Sequence, residues 1–145
     1  MTHKTHALPG SILFICYLNS IRSPMAEGLM KKRYGDKVYV QSCGLEQGEL
    51  DDLMVAVMRE SGIDMSAHNA RTLTQLQDGL FDTVIAFTQG AGDAARAVFE
   101  GCDTQVLVWP TPDPTGGALD VRAMMDNYRS VRSFIDNRLK ARYGA

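Results

Sequence analysis

Short apolar runs alternate along this chain with longer stretches in which apolar residues recur every three or four positions. The first run, Ser11-Ile-Leu-Phe-Ile-Cys16, is continuous rather than alternating, as in a strand covered on both faces of a parallel sheet. A polar loop follows. Ser23-Pro24 then marks a helix start, because serine suits the N-cap and proline the first helical position. This helix is expected to run to about Tyr34 and stop at Gly35. Val38 to Ser42 reads as a second strand. From Asp51 to Ser61 the apolar residues at 53, 54, 57 and 58 form a helical face, with Asp51-Asp52 at its start and Gly62 as its stop. Thr83 to Phe87 reads as a third strand, Asp93 to Phe99 as a short helix and Gln105 to Trp109 as a fourth strand. Pro110, Pro112 and Pro114 then force an extended loop. Val121, Met125, Tyr128, Val131, Ile135 and Leu139 mark the buried stripe of a last helix.

Strands alternating with helices predict an α/β fold: a single doubly wound domain, with about four parallel strands and helices on both faces. In such sheets ligands bind beyond the carboxyl ends of the strands, where the first strand delivers Cys16. The 145 residues fit one domain, residues 11–145, behind a flexible tail of residues 1–10 in which His3 and His6 are solvated. With 45% apolar residues, the chain can build its core without a disulfide or a metal.

Charge and cysteine content narrow the function classes. Fifteen Lys and Arg against 17 Asp and Glu leave a net charge of −2, which argues against nucleic acid as a main partner. Lys31-Lys32-Arg33 reads as a solvated helix end. No run is long enough to cross a membrane and none resembles a signal peptide, so a cytoplasmic protein is the default expectation. Cys16, Cys43 and Cys102 are odd in number and match no zinc spacing, and Cys43 and Cys102 read as buried thiols of a reduced intracellular protein. No metal and no cofactor are expected.

The chemistry lies in Cys16-Tyr-Leu-Asn-Ser-Ile-Arg22, a loop joining a strand to a helix. Over Tyr17, Leu18, Asn19, Ser20, Ile21 and Arg22 the backbone N–H groups can curl into an anion nest, and the following helix adds partial positive charge. Arg22 adds a planar fork that matches two oxygens of a phosphate. The same surroundings favour the Cys16 thiolate, the competent nucleophile, directly beneath the bound anion. Departure of an ester oxygen needs an acid. Asp113, in Trp109-Pro-Thr-Pro-Asp-Pro114, lies past the fourth strand at the same sheet edge and is held between prolines.

These residues resemble the low-molecular-weight protein tyrosine phosphatases. The match is carried by Cys16 to Glu27 (CYLNSIRSPMAE), Ser42-Cys-Gly44, His68-Asn-Ala-Arg71 and Asp113-Pro114, in the family's order. The resemblance implies Cys16 as nucleophile, Arg22 as phosphate clamp and Asp113 as general acid and then base. It also implies that Asn19, Ser23, Ser42 and His68 form a hydrogen-bond network supporting the loop. Phosphate or sulfate is expected in the loop, and a phosphorylated protein or small phosphate ester as substrate.

Three positions depart from the family pattern. Leu18 stands where glycine is usual, which is expected to alter the loop or narrow its mouth. Ile21 stands where a second cysteine often traps an oxidised nucleophile. Thr115-Gly116 stands where animal members often carry tyrosines, with Tyr17 a partial replacement. The chain also resembles the arsenate reductases that share this fold. Members coupled to thioredoxin relay a disulfide through two further cysteines, the first ending the third strand. Here that strand ends in Val84-Ile-Ala-Phe87. A phosphatase acting through a cysteinyl-phosphate is the leading expectation, an arsenate reductase using an external small thiol the alternative, and a non-catalytic oxyanion-binding regulator the third.

Overall fold

The first strand organises the whole molecule. In a computed structural model, which describes residues 5–76, 79–117 and 120–145, β1 (Ser11–Cys16) lies between β2 (Tyr39–Gly44) and β3 (Thr83–Ala86). With β4 (Gln105–Val108) outside β3, the order is β2-β1-β3-β4 and every pairing is parallel. Successive β1 side chains point to opposite faces, as the pleat requires. Ile12, Phe14 and Cys16 enter one core with α1 (Arg22–Tyr34), α2 (Asp52–Glu60) and α5 (Val121–Tyr143). Leu13 and Ile15 enter the other with α3 (Leu73–Leu76) and α4 (Gln89–Val98). All of Ile12 to Ile15 is fully buried, which is why the run contains no polar alternation. This is the doubly wound α/β arrangement read from the sequence.

Several boundaries differ, each for a local reason. α1 begins at Arg22, and Ser23 is not its cap, because the Ser23 hydroxyl turns inward to Cys16 and to the Cys43 carbonyl. α4 begins at Gln89, four residues before the expected start. Thr88 caps it by accepting from the Ala91 N–H, and this cap outweighs the glycines at 90 and 92. β2 extends to Gly44, in register with Cys16. A short 3-10 turn at Gly35–Lys37 and the four-residue α3 had no sequence signal beyond loop composition. The buried stripe of α5 holds Tyr128, Val131, Ile135, Leu139 and Tyr143, whereas Val121 is exposed.

Residues 5–10 run in extended conformation against the domain. The His6 N–H donates to the Arg142 carbonyl, Leu8 packs on the first core, and the Gly10 carbonyl accepts from the Tyr39 N–H. His6 is exposed, and His3 lies outside the described residues.

Gly44 is where β2 meets the loop that follows β1. A Cβ there would stand 2.7 Å from the Asn19 nitrogen, 2.7 Å from the Leu18 carbonyl carbon and 2.6 Å from the Glu46 carbonyl oxygen. All three are backbone atoms and cannot swing aside. Gly44→Ala is therefore expected to cost about 1–3 kcal/mol of overpacking and to displace the Cys16–Arg22 loop. Chemical denaturation would show the first effect, and a weaker affinity for phosphate the second.

Candidate active site

Cys16 ends β1 at the carboxyl edge of the sheet, at the switch point where β2 lies to one side and β3 to the other. It is 2% exposed, at the bottom of a cleft of about 50 Å³. Tyr17, Leu18, Ser20, Ile21, Arg22 and Asp113 line the rest. That volume has room for a few waters or one small anion. The structure thus brings together the three residues expected to carry the chemistry, from two separate chain segments, the loop after β1 and the loop after β4.

The loop is tied from behind. Asn19 has a left-handed backbone, with φ +56°, and is fully buried. Its side-chain amide donates to Ser23 Oγ at 2.9 Å and to Ser42 Oγ at 3.0 Å. Its Oδ1 accepts from the Arg71 backbone N–H at 3.0 Å, and its carbonyl accepts from His68 Nε2 at 2.9 Å. The latter bond places the ring proton on Nε2, because a carbonyl can only accept. Asn19, Ser23, Ser42 and His68 therefore do meet, in one buried cluster. Glu27, 7% exposed, completes it by accepting from Ser42 at Oε1 and from Lys31 at Oε2. Sequence reasoning quoted Glu27 within the matching stretch and gave it no part. A carboxylate on the inward face of an otherwise apolar helical turn was the available signal.

The segment after β2 clasps the loop by its backbone. Leu45, Glu46 and Gly48 N–H groups donate to the Cys16, Tyr17 and Leu18 carbonyls at 3.1, 2.9 and 2.9 Å. Inward-facing carbonyls would repel an anion, so turning them outward leaves the N–H groups to the cleft. Leu18 does not distort the loop. Asn19 is the only non-glycine residue with positive φ among the described residues, so position 18 has no need of glycine. The room for Leu18 comes instead from Gly48, whose missing Cβ would stand 2.8 Å from the Leu18 Cβ.

Arg22 and Asp113 are set by the segment after β4. Trp109 and Thr111 N–H groups donate to the Ala86 and Phe87 carbonyls, and Arg138 covers the Trp109 ring at 4.7 Å. Arg22 donates one Nη1 bond to the Thr111 carbonyl at 2.9 Å, leaving its remaining donors for an anion. Asp113 accepts twice at Oδ1, from the Thr115 N–H at 2.9 Å and the Thr115 hydroxyl at 2.7 Å. Partial burial pushes its carboxyl up, but the Thr115 bonds and the Arg22 charge outweigh that and hold it below the usual range. Thr115, where a tyrosine was noted as absent, thus serves the carboxylate.

The family model of the low molecular weight phosphotyrosine protein phosphatases matches residues 11–141. The chain belongs to this family. It is 31% identical over 135 residues to the glutaredoxin arsenate reductase of Synechocystis, covering 89% of this chain and 92% of that one. An arsenate reductase in its phosphate-binding state superposes with TM-score 0.75 at 29% identity, over 90% of this chain and 93% of that chain. The YwlE arginine phosphatase with a phosphorylated active-site serine superposes with TM-score 0.72 at 26% identity, over 90% and 91%. Phosphatases and arsenate reductases thus share this family's scaffold.

The other cysteines of this family member are poorly placed to react with Cys16. Cys43 pairs in register with Ile15 and enters the second core, on the opposite face of the sheet from Cys16. Burial, with a further contribution from Cys16, pushes its thiol up to about 12. Cys102, read from the sequence as buried, is instead exposed, because it lies in the loop just before β4, at the amino edge of the strands. Mild peroxide followed by peptide mapping is expected to show oxidised Cys16 and no Cys16–Cys43 crosslink. Iodoacetamide near neutral pH should spare Cys43 until the fold is denatured. A recovered crosslink would show that the sheet opens enough to bring the two thiols together.

Proposed function

We propose that the chain is a phosphomonoesterase that works through a cysteinyl-phosphate intermediate, acting on aryl phosphates such as phosphotyrosine in proteins. The observation that carries this reading is the convergence of Cys16, Arg22 and Asp113 on one small cleft. Asn19 donates to Ser23, so the single Ser23 hydroxyl proton is free for the Cys16 sulfur, 2.9 Å away. The thiolate attacks phosphorus from below. Loop N–H groups and the free Arg22 donors hold the non-bridging oxygens as charge spreads over them. The P–O bond to the leaving group breaks, and Asp113 gives its proton to the departing oxygen. Water then attacks the cysteinyl-phosphate, Asp113 takes a proton back, and phosphate and thiolate are restored. Asp113 must therefore carry a proton in the substrate complex, where the bound dianion opposes its ionisation. The exposed Tyr17 and Leu18 line the cleft and give it an apolar rim suited to an aryl group.

A second reading is supported by the 31% identity to an arsenate reductase across nearly the whole chain. In that case the same thiolate would attack arsenate, and an external thiol would complete the reduction. Phe87 occupies the end of the third strand and Cys102 sits at the far sheet edge, which favours the phosphatase over any internal cysteine relay.

Turnover of para-nitrophenyl phosphate, compared with arsenate plus glutathione, separates the two. The phosphatase reading expects chelator-resistant hydrolysis that is lost in Cys16→Ser, while phosphate still binds. Arsenate reduction without phosphatase turnover would replace it with the second reading.

The Asp113 role has its own signature. Asp113→Asn should slow phenyl phosphate by about 10²–10⁴-fold and a strongly activated aryl phosphate far less. Thr115→Val removes a bond that favours the Asp113 carboxylate, so the carboxyl keeps its proton to higher pH. The basic limb of kcat against pH for phenyl phosphate should then move upward. A limb that stays in place would remove Asp113 as the titrating acid.

A further inference from the structure

Behind the Cys16–Arg22 loop, on the side away from the small cleft, a second and much larger cleft of about 550 Å³ opens between α1 and residues 62–71. Its size is that of a site for a small organic ligand. Lys31 and Lys32 border it from α1, and Arg71 and His68 from the opposite wall. Of its two acids, Glu27 is engaged at both oxygens and Asp64 at Oδ1. Glu27 accepts from Ser42 and Lys31, and Asp64 accepts from the Ser66 N–H and hydroxyl. The cations retain donors. Lys31 is half-exposed with two further ammonium protons, Lys32 is held only through the Ser61 carbonyl, and Arg71 uses one Nη1 bond to Gln41. Three cations, Lys31, Lys32 and Arg71, thus face two acids, and an anion would meet free donors on both walls.

The cleft also shares its wall with the loop's supports. Glu27 and His68 are both buried, and each serves two sides. Glu27 holds Ser42 with Oε1 and Lys31 with Oε2. His68 holds the Asn19 carbonyl with Nε2. Its Nδ1 has no protein partner among the described residues, and no buried side-chain nitrogen there lacks one, so Nδ1 is open to solvent beside this cleft. An anion that draws Lys31 from Glu27, or that packs against the His68 ring, acts on groups tied to Asn19, His68 directly and Glu27 through Ser42. The floor is tight, since a Cβ on Gly28 would stand 3.0 Å from Ile63 and Met65 side chains, so ligand bulk must lie toward the rim.

We propose that this cleft is a regulatory site for a small organic anion with at least two carboxylate or phosphate groups. Its charges bridge Lys31 and Lys32 on α1 to Arg71 and His68 on the facing wall. Occupancy changes the rate at which the Cys16 loop turns over. The proposal needs only that the loop is catalytic, and holds for either reading of the chemistry.

The test uses two probes, citrate for carboxylates and methylenebisphosphonate for phosphate-like groups. Calorimetric titration is made into protein whose Cys16 has been carboxymethylated, so that the loop already carries an anion. At least one probe should bind saturably at one site, and Lys32→Glu should weaken it by about tenfold or more, since reversing a charge a few ångströms away exceeds 1.4 kcal/mol before screening. On unmodified protein the same probe should change kcat, not only KM, and Lys32→Glu should abolish that change. Preference for one probe identifies the anion's chemistry. No saturable binding to the carboxymethylated protein, or binding indifferent to Lys32→Glu, overturns the site. Binding that leaves kcat unmoved overturns the regulation. Loss of all turnover in unmodified protein without any probe would count against the catalytic loop itself and is thereby distinguishable.

Discussion

The structure of the candidate site depends on one residue held in a conformation it does not prefer. Asn19 turns the loop through a left-handed backbone, at a cost of about 1–2 kcal/mol for an ordinary side chain and less for asparagine. Four buried hydrogen bonds offset it: two from its amide to Ser23 and Ser42, one to its Oδ1 from Arg71, and one to its carbonyl from His68. Each such bond contributes about 0.5–1.5 kcal/mol, and leaving its partner buried and unmade costs about 1–3 kcal/mol. The bonds therefore win, and they win only if all four partners are in place. Aspartate would lose both donors and glycine every side-chain bond. The loop's geometry is thus fixed from β2, α1 and residues 68–71 at once, rather than by the loop's own propensity.

The hydrogen bonds behind the loop also have a direction. The Glu27 carboxylate can only accept, so Ser42 must donate to it and in turn accept from Asn19. Asn19 has a second amide proton and gives it to Ser23. Ser23 is left with one proton and two acceptors within reach, the Cys16 sulfur and the Cys43 carbonyl. With sulfur as thiolate the proton goes to sulfur, because a bond to an ionised acceptor is about twice as strong as a neutral one. A carboxylate on α1 thereby sets which way a proton points beneath the proposed nucleophile, through three side chains and no formal charge in between. Were the Asn19 amide flipped, so that Ser23 donated to its Oδ1, the sulfur would meet an acceptor rather than a donor.

Most of the fold was legible because it rests on burial patterns with a period. The continuous Ile12–Ile15 run announced a strand covered on both faces, and the α5 stripe placed a helix on one of them. Cys16, Arg22 and Asp113 were legible because strand ends and a proline-fixed loop put them at one sheet edge. What escaped was structure made by hydrogen bonds between distant backbone atoms. The clasp of Leu45, Glu46 and Gly48 on the loop uses N–H groups that every residue has, so composition carries no trace of it. Gly44 and Gly48 were legible as glycines but not as the space for Asn19 and Leu18. The same limit explains Leu18. Its departure from a glycine pattern implied an altered loop or a narrowed mouth, and the room made for it across the clasp at Gly48 left no trace in the pattern. Ser23 failed as a cap because a tertiary partner, the Cys16 sulfur, took the hydroxyl that local rules assign to the helix.

The sheet itself separates the chain's thiols. A strand's side chains alternate, so a cysteine one register step from Cys16 on the neighbouring strand must enter the opposite core, and Cys43 does. Reaching Cys16 would require rotating a fully buried residue out of its layer, against the packing of Leu13, Ile15 and Leu73. Cys102 faces a different obstacle. It precedes β4, and all four strands are parallel, so the length of the sheet lies between it and the strand end where Cys16 sits. A disulfide needs both Cα atoms within about 7 Å and side chains that point toward each other, and the sheet's alternation denies Cys43 the second condition. Within this fold, then, Cys16 has a guanidinium and a carboxyl beside it and no thiol facing it. Chemistry that begins and ends with the thiolate, as phosphoryl transfer to water does, is complete with these groups. Chemistry that leaves the sulfur oxidised must take its electrons from a thiol outside the chain.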